Sequence, residues 1–194
     1  MSTPAFKEWG VIVKALLEGE QVLDVRKGGL HEDGRHFGLQ ATRLWLYPTY
    51  LHQRADLLKP GYDRSLGQVL ADAPGDDTVR VPGWADVVGA AEIRDPDVLA
   101  RLDSKFIWTL EYAESRLKWK KRDPLWVLAM RVHVLDEAIE VPDRDEYGGC
   151  TSWVDLDGLP DDPTSVPSRP ALSDEAFASK VNGVTDVLGD LTAV

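Results

Sequence analysis

One long and mainly apolar run, residues 124–135 (PLWVLAMRVHVL), constrains the fold more than any other feature of this chain. Its length and its aliphatic and β-branched composition are typical of a strand that is buried on both faces near its middle. Two polar residues, Arg131 and His133, alternate within the run. Polar side chains in such surroundings are costly unless they are paired or line a cleft, so we predict that Arg131 faces a cleft.

Shorter strand and helix patterns alternate along the rest of the chain without regular β-α-β spacing. Residues 3–17 predict an amphipathic helix, and Asp95 and Thr109 are the predicted caps of two further helices. Residues 60–77, rich in Gly, Asp and Pro, predict a loop. Together the patterns predict an α+β fold, a curved mixed β-sheet with peripheral helices.

The composition changes near the end of the sequence. Residues 157–171 are rich in Asp, Pro, Ser and Gly, which predicts a flexible linker. Residues 172–194 predict an amphipathic helix that docks on the core or contacts a partner protein. We therefore predict a single α+β domain over residues 1–156, followed by the linker and the helix.

The charge balance limits the possible partners. The formal net charge is −11, which argues against a general affinity for phosphate backbones, so nucleic-acid binding requires a local basic patch. No apolar stretch approaches the ~18 residues of a membrane span, and no secretory signal is recognised. With a single cysteine, this pattern predicts a cytoplasmic protein without a disulfide framework or membrane contact.

The segment VLDVRKGGLHEDGRHFGL, residues 22–39, is the first candidate site. Arg26 and Lys27 precede Gly28 and Gly29, so two cations and exposed backbone N–H groups there are suited to surround a phosphate or carboxylate. The alternative is a hairpin whose charged residues only face solvent. No P-loop pattern accompanies the two glycines.

The segment RLKWKKRD, residues 116–123, is the second candidate site. It concentrates cations around one aromatic residue that is suited to stack on a base. The alternative is a solvated helix end whose cations complement the helix dipole. The residues in question are Arg116, Lys118, Trp119, Lys120, Lys121 and Arg122.

Side chains of metal-ligand type cluster after the Gly-Gly pair. They are His31, Glu32, Asp33 and His36, with His52 further along the chain. Their spacing matches no recognised ligand pattern, so we predict no metal site and no cofactor.

Five ordered pieces of the sequence resemble the bacterial family known as domain of unknown function 1802. They are AFKEWGVIVKALLEGEQVLDVRKGGL, LYPTYLHQ, FIWTLEYAESRLKW, LWVLAMRVHVL and YGGCTSW, which together span residues 5–155. The resemblance brings no established activity, although a link of some members to restriction-type defence systems implies nucleic acid. Glu32, His52 and Gln53 match the family's pattern.

A second resemblance concerns architecture. The unit ALLEGEQVLDVRKG, with Gly19, Val25 and Arg26, is similar to the start of ASCH and other PUA-like domains. Those domains are small β-barrels with helical caps, and many bind RNA or modified bases. The resemblance therefore implies a PUA-like β-barrel as one form of the predicted fold.

These observations support three functions. The first is a binding module for single-stranded nucleic acid or a nucleotide, in which Arg26, Arg131 and the basic segment share one electropositive surface. The second is a hydrolase or nuclease with Glu32 and His52 as acid–base groups. The third is a structural partner protein. Gln53 and Tyr147 complete the set of predicted binding residues.

Overall fold

The fold is built on a mixed sheet that curls, seen in a computed structural model that describes residues 3–27, 31–32, 37–38, 41–75, 77–119, 123–149 and 151–193. The strands of the described residues are β1 (Ala5–Trp9), β2 (Leu23–Arg26), β3 (His31–Glu32), β4 (Phe37–Gly38), β5 (Arg43–Thr49), β6 (Thr78–Ile93), β7 (Leu125–Pro142), β8 (Trp153–Val154) and β9 (Ser168–Pro170). The α-helices are α1 (Gly10–Leu17), α2 (Tyr62–Ala71), α3 (Pro96–Arg101), α4 (Leu110–Lys118) and α5 (Asp174–Leu188).

Seven of these strands form one sheet in the order β2-β7-β6-β5-β1-β8, with β9 added to β7. β1 and β5 are parallel, whereas the other pairs are antiparallel. β3 and β4 form a separate two-stranded ladder. The predicted α+β fold with a mixed sheet is therefore confirmed, and the apolar run of residues 124–135 lies in β7, between β2 and β6.

The long strands β6 and β7 bend at two irregularities in their ladder, one of which lies between Val81 and Gly83. A Cβ atom at Gly83 would lie 2.5 Å from the carbonyl oxygen of His133. Glycine is therefore required for the close approach of the two backbones at this bend.

Apolar side chains from the sheet and the helices share one large cluster. Ile12 of α1, Leu99 of α3, Ala113 of α4 and Val184 of α5 are all buried against it. A second cluster surrounds Trp45. The helices thus pack on the sheet because each buries one apolar side.

Two predicted helix caps are confirmed. The Asp95 side chain accepts a hydrogen bond from the Asp97 amide at 2.9 Å, and the Thr109 hydroxyl accepts one from the Tyr112 amide at 3.2 Å. These caps fix the starts of α3 and α4, and the cap at Thr109 matters most here because α4 carries the basic segment.

The prediction of one helix over residues 3–17 is wrong in its first part. Ala5–Trp9 is the strand β1, which pairs with β5 on one side and with β8 on the other. Pairing partners about 40 and 148 residues away in sequence override a local pattern that also suits a helix.

The loop predicted for residues 60–77 contains the helix α2. Gly61, with φ of 98°, turns the chain into this helix, and Leu66 is its buried contact. The segment is polar apart from a few such positions, so its periodicity is weak and the Gly and Pro residues around it dominate the pattern.

The end of the chain contacts the sheet. Ser168–Pro170, within the predicted linker, is the strand β9 on β7, and Val184 of α5 is fully buried. The Arg131 guanidinium lies 2.6 Å from the Asp174 carboxylate at the start of α5 and covers the Phe177 ring. The predicted terminal helix therefore docks on the core.

We expect residues 1–156 alone to keep a cooperative thermal transition at a lower Tm. Removal of residues 157–194 deletes β9 and exposes the apolar surface under Val184. Circular dichroism of the truncated and full chains measures the Tm and the cooperativity of the transition. In the full chain, Val184→Ala should lower the free energy of unfolding by about 2 kcal/mol. Val181 is more exposed, so Val181→Ala should lower it by less than about 1 kcal/mol. An unchanged Tm of the truncated chain, or a non-cooperative melt, would contradict this prediction.

Candidate functional site

The candidate site surrounds the junction between β1 and α1, residues 7–11. The Glu8 carboxylate accepts a hydrogen bond from the Trp9 amide at 2.6 Å, and the Gln53 side-chain oxygen accepts one from the Val11 amide at 3.0 Å. These two side chains satisfy amides that the first turn of a helix leaves without partners. Gln53, predicted from the sequence, is thus brought to the start of α1.

His52 precedes Gln53 and is solvent-exposed, with φ of 62°. The left-handed conformation is uncommon for a non-glycine residue, although histidine adopts it more readily than most. It turns the chain so that the next residue, Gln53, reaches α1.

Three charged side chains meet where β2 approaches β1. The Arg26 guanidinium hydrogen-bonds the Glu8 carboxylate, and it donates to the Lys7 carbonyl at 2.9 Å. It also lies 4.3 Å from the centre of the Phe6 ring and 3.7 Å from the Asp24 carboxylate. We call Glu8, Asp24 and Arg26 the seam cluster, because they bridge two strands that share no ladder.

Burial shifts the protonation of the two carboxyls. Asp24 is fully buried and Glu8 is 6% exposed. Desolvation raises the pKa of Glu8 to about 7, against the opposing effect of Arg26, and Asp24 raises it further. Desolvation also raises the pKa of Asp24. The seam cluster therefore retains a proton at pH values at which exposed carboxyls are ionised.

Helix α4 runs past this cluster. Its start is tied to the chain after β5, because the Thr109 amide donates to the Leu57 carbonyl at 2.9 Å. The Tyr112 ring packs beside Trp9 and Trp108, with ring centres 6.2 Å and 4.9 Å away. Arg116, one turn later on the same face, is close enough to Glu8 to lower the pKa of its carboxyl.

Lys27 holds the other end of α4. Its ammonium donates to the carbonyls of Leu117 and Asp123 at 3.0 Å and 2.5 Å, and the residue is 7% exposed. Burial lowers the pKa of Lys27, and Asp123 opposes this shift. The end of α4 and Asp123 are therefore both bonded to the residue that follows β2.

The side chains at this end of α4 present both charge and an aromatic surface. The Arg116 guanidinium lies 4.7 Å from the centre of the Trp119 ring, and Trp119 is 46% exposed. Lys118 is exposed and forms an ion pair with Glu114 at 2.9 Å. We call Tyr112, Arg116, Lys118 and Trp119 the α4 row.

Arg131 does not join this surface. Arg26 lies opposite Trp126 in the ladder of β2 and β7, and Arg131 is five residues further along β7. That spacing is roughly 17 Å, and an odd number of residues places the two side chains on opposite faces. The predicted shared surface of Arg26 and Arg131 is therefore wrong, and Arg131 instead contacts α5.

Tyr147 is not a member of the seam cluster. It is buried in the second apolar cluster, and its hydroxyl accepts a hydrogen bond from the Asp157 amide at 3.0 Å. Its carbonyl accepts a hydrogen bond from the Lys7 ammonium. Tyr147 thus anchors the chain after β7.

Several predicted residues lie outside the described residues. These are Gly28, Gly29, Lys120 and Lys121. For Glu32 the structure describes backbone pairing with Phe37, so the predicted pairing of Glu32 with His52 as acid–base groups stays a prediction.

Glu8, Trp9 and Tyr112 are members of the site that the sequence pattern does not identify. The pattern of residues 3–17 predicts a helix that includes Glu8 and Trp9, whereas the long-range pairing of β1 brings them to Arg26. The alternation of Asp24 and Arg26 was the available signal, since two charged residues on one side of a strand need a partner.

Two other types of feature are absent from the described residues. Within them, no group of three His, Cys, Asp or Glu side chains is arranged to hold a metal ion. In the same part of the chain, no helix has both the length and the apolar character needed to cross a membrane.

The fold and the seam cluster define an α+β protein with a curled mixed sheet. Buried charged side chains connect two of its strands, β1 and β2, that do not pair with each other. The chain belongs to the family described as Domain of unknown function (DUF1802), whose family model matches residues 5–182. The match continues past residue 155, where the sequence resemblance ends, and includes β9 and much of α5. No curated protein matches the chain.

Solved structures of ASCH proteins are similar to this chain. The ASCH protein from Zymomonas mobilis is 15% identical, with a TM-score of 0.40 over 93% of this chain and 94% of that chain. A mutant of the Zymomonas mobilis protein is 13% identical, with a TM-score of 0.42 over 93% of this chain and 95% of that chain.

We expect Glu8→Gln to remove a pH dependence from the stability. In the unfolded chain Glu8 titrates near 4.5, so its raised folded pKa stabilises the protein below that pH. This contribution is lost as the pH rises to about 7, and the interval corresponds to roughly 3 kcal/mol. Urea unfolding of both proteins from pH 4.5 to 8 measures it. The exposed Glu18→Gln is the control, and a constant difference between wild type and Glu8→Gln would refute the assignment.

Lys27→Met should destabilise the fold by roughly 2 kcal/mol, since two carbonyls near the end of α4 lose a charged donor. Lys14→Met, which removes an exposed ion pair within α1, should cost no more than about 0.5 kcal/mol. Chemical denaturation of the two variants makes the comparison. Equal losses would show that the buried ammonium does not hold α4.

Proposed function

We propose that this protein binds single-stranded nucleic acid or a nucleotide through the α4 row. Arg116 and Lys118 contact phosphates, and Trp119 stacks on a base. Lys120 and Lys121, which follow in sequence, extend the cationic stretch. The observation that supports the proposal is the pair of hydrogen bonds from Lys27 to the carbonyls of Leu117 and Asp123, which ties the end of α4 to the end of β2.

The charge distribution supports the proposal. The chain carries 33 acidic and 22 basic residues, so most of its surface repels a phosphate backbone. A polyanion is attracted where cations cluster, and residues 116–122 are the densest such cluster in the sequence. Cations at the end of a helix also complement its dipole, so the chemical evidence for a ligand is the exposed Trp119 among them.

Arg26 has a positioning role in this proposal. Its guanidinium is engaged by Glu8, the Lys7 carbonyl and the Phe6 ring, and its side chain is 16% exposed. We therefore assign the phosphate contacts to the α4 row and not to Arg26. Loss of Arg26 weakens binding indirectly, by releasing the strand end against which α4 is held.

The test is fluorescence anisotropy with a labelled 20-nucleotide single strand, as DNA and as RNA, at several salt concentrations. We expect Arg116→Ala to weaken binding and to lower the magnitude of the salt slope by about 0.7, the value for one phosphate contact on a single strand. Trp119→Ala should cost about 1–3 kcal/mol of binding free energy, with little change in that slope.

Arg64→Ala is the matched control, since Arg64 is an exposed arginine on α2 and its loss changes the net charge equally. Equal effects of Arg64→Ala and Arg116→Ala, or no binding at low salt, would refute the proposal. If the wild type cleaves the labelled nucleic-acid strand and His52→Ala abolishes that cleavage, the result would instead favour the hydrolase hypothesis.

A further inference from the structure

The seam cluster has more acidic than basic groups. Two carboxylates, Glu8 and Asp24, converge on the single guanidinium of Arg26, and all three side chains are buried or nearly so. Neither Asp24 carboxylate oxygen has a hydrogen-bond partner among the described side chains and backbone. With both carboxyls ionised the cluster carries one net negative charge, and with one proton bound it is neutral. Because an unbalanced buried charge is costly, the neutral form suits the folded state.

Helix α4 lies beside this charge, because Trp9, next to Glu8, packs on Tyr112 with ring centres 6.2 Å apart, and Lys27, next to Arg26, donates to the Leu117 carbonyl at 3.0 Å. Within the part of the chain that the structure describes, the charged and titratable groups that face Glu8 are Asp24 and Arg26 from β2, and Tyr112 and Arg116 from α4. The Glu8 carboxylate also accepts a hydrogen bond from the Trp9 amide at the start of α1. Arg116 thus experiences the charge of the Glu8 carboxylate at long range from inside the protein, and it is a residue that we propose contacts a phosphate outside it.

We propose that the seam cluster regulates the α4 row by taking up and releasing one proton. With the proton bound, Arg116 is available to a nucleic-acid phosphate. After its release, ionised Glu8 attracts the Arg116 guanidinium and reduces the positive potential at the row. Nucleic acid therefore binds more tightly at acidic pH. This inference rests on the proposed function and adds its regulation.

Thermodynamic linkage gives a second consequence. If proton binding strengthens nucleic-acid binding, then nucleic-acid binding strengthens proton binding by the same factor. Complex formation near pH 7 should therefore take up a fraction of a proton. Binding of a phosphate by solvated cations alone has no such requirement, since phosphodiesters do not titrate in this range.

The experiment is anisotropy with a labelled oligo(dT) of 20 nucleotides at pH 6, 7 and 8 and constant ionic strength. We expect the affinity of the wild type to fall at least about fivefold from pH 6 to pH 8. Glu8→Gln should keep the low-pH affinity throughout. Glu111→Gln is the matched control, with the same change on an exposed residue of α4, and should keep the wild-type slope.

The outcomes separate the two proposals. Binding with the same pH slope in the wild type and Glu8→Gln overturns the regulation and leaves the proposed function in place. Absence of binding by the wild type at every pH removes both.

If Glu8→Gln does not fold, carbon NMR of the wild type labelled at glutamate carboxyls decides the regulation. A carboxyl that titrates between pH 6 and 8, and whose midpoint rises when oligo(dT) binds, supports it. The absence of such a carboxyl, or a midpoint that does not move, overturns it.

Discussion

The shape of the sheet depends on the contact between Arg26 and the end of β1. β2 and β1 are separated in the sheet by three other strands, yet the Arg26 guanidinium bonds both the Glu8 carboxylate and the Lys7 carbonyl. A buried ion pair is weak evidence for stability, because desolvation offsets most of the attraction. What the guanidinium adds is orientation, because its fixed fork of donors bonds two groups of β1 and so holds the end of β2 beside that strand.

Local signals predicted a large part of the fold. The strand β7 and the starts of α3 and α4 follow from an apolar run and from the caps Asp95 and Thr109, which act within a few residues. The strand β1 and the helix α2 were missed. Five residues of β1 suit either a helix or a strand until β5 and β8 pair with them, and this information is distant in sequence.

Only those parts of the candidate site whose residues are neighbours in sequence could be predicted. The basic segment of residues 116–122 is visible in the sequence because its members are neighbours, and the structure fixes its start beside Arg26 through Lys27. Glu8, the partner of Arg26, is 18 residues away in sequence. It lies on β1, for which the local pattern predicts a helix. Arg131 lies on the opposite face from Arg26 because it is five residues along β7 from Trp126, and the pairing of β2 with β7 that decides this is not visible in the sequence.

The pairing of β1 also sets the order in which the protein can assemble. Ala5 and Phe6 lie opposite Val154 and Trp153, and the Thr3 amide reaches the Asp161 carbonyl at 3.2 Å. Contacts so distant in sequence close long loops and slow folding. During synthesis β1 precedes both of its partners, β5 and β8, so the edge that pairs with β8 stays unpaired until residue 154 has emerged. Over that interval the edge is open to pairing with a strand of another chain.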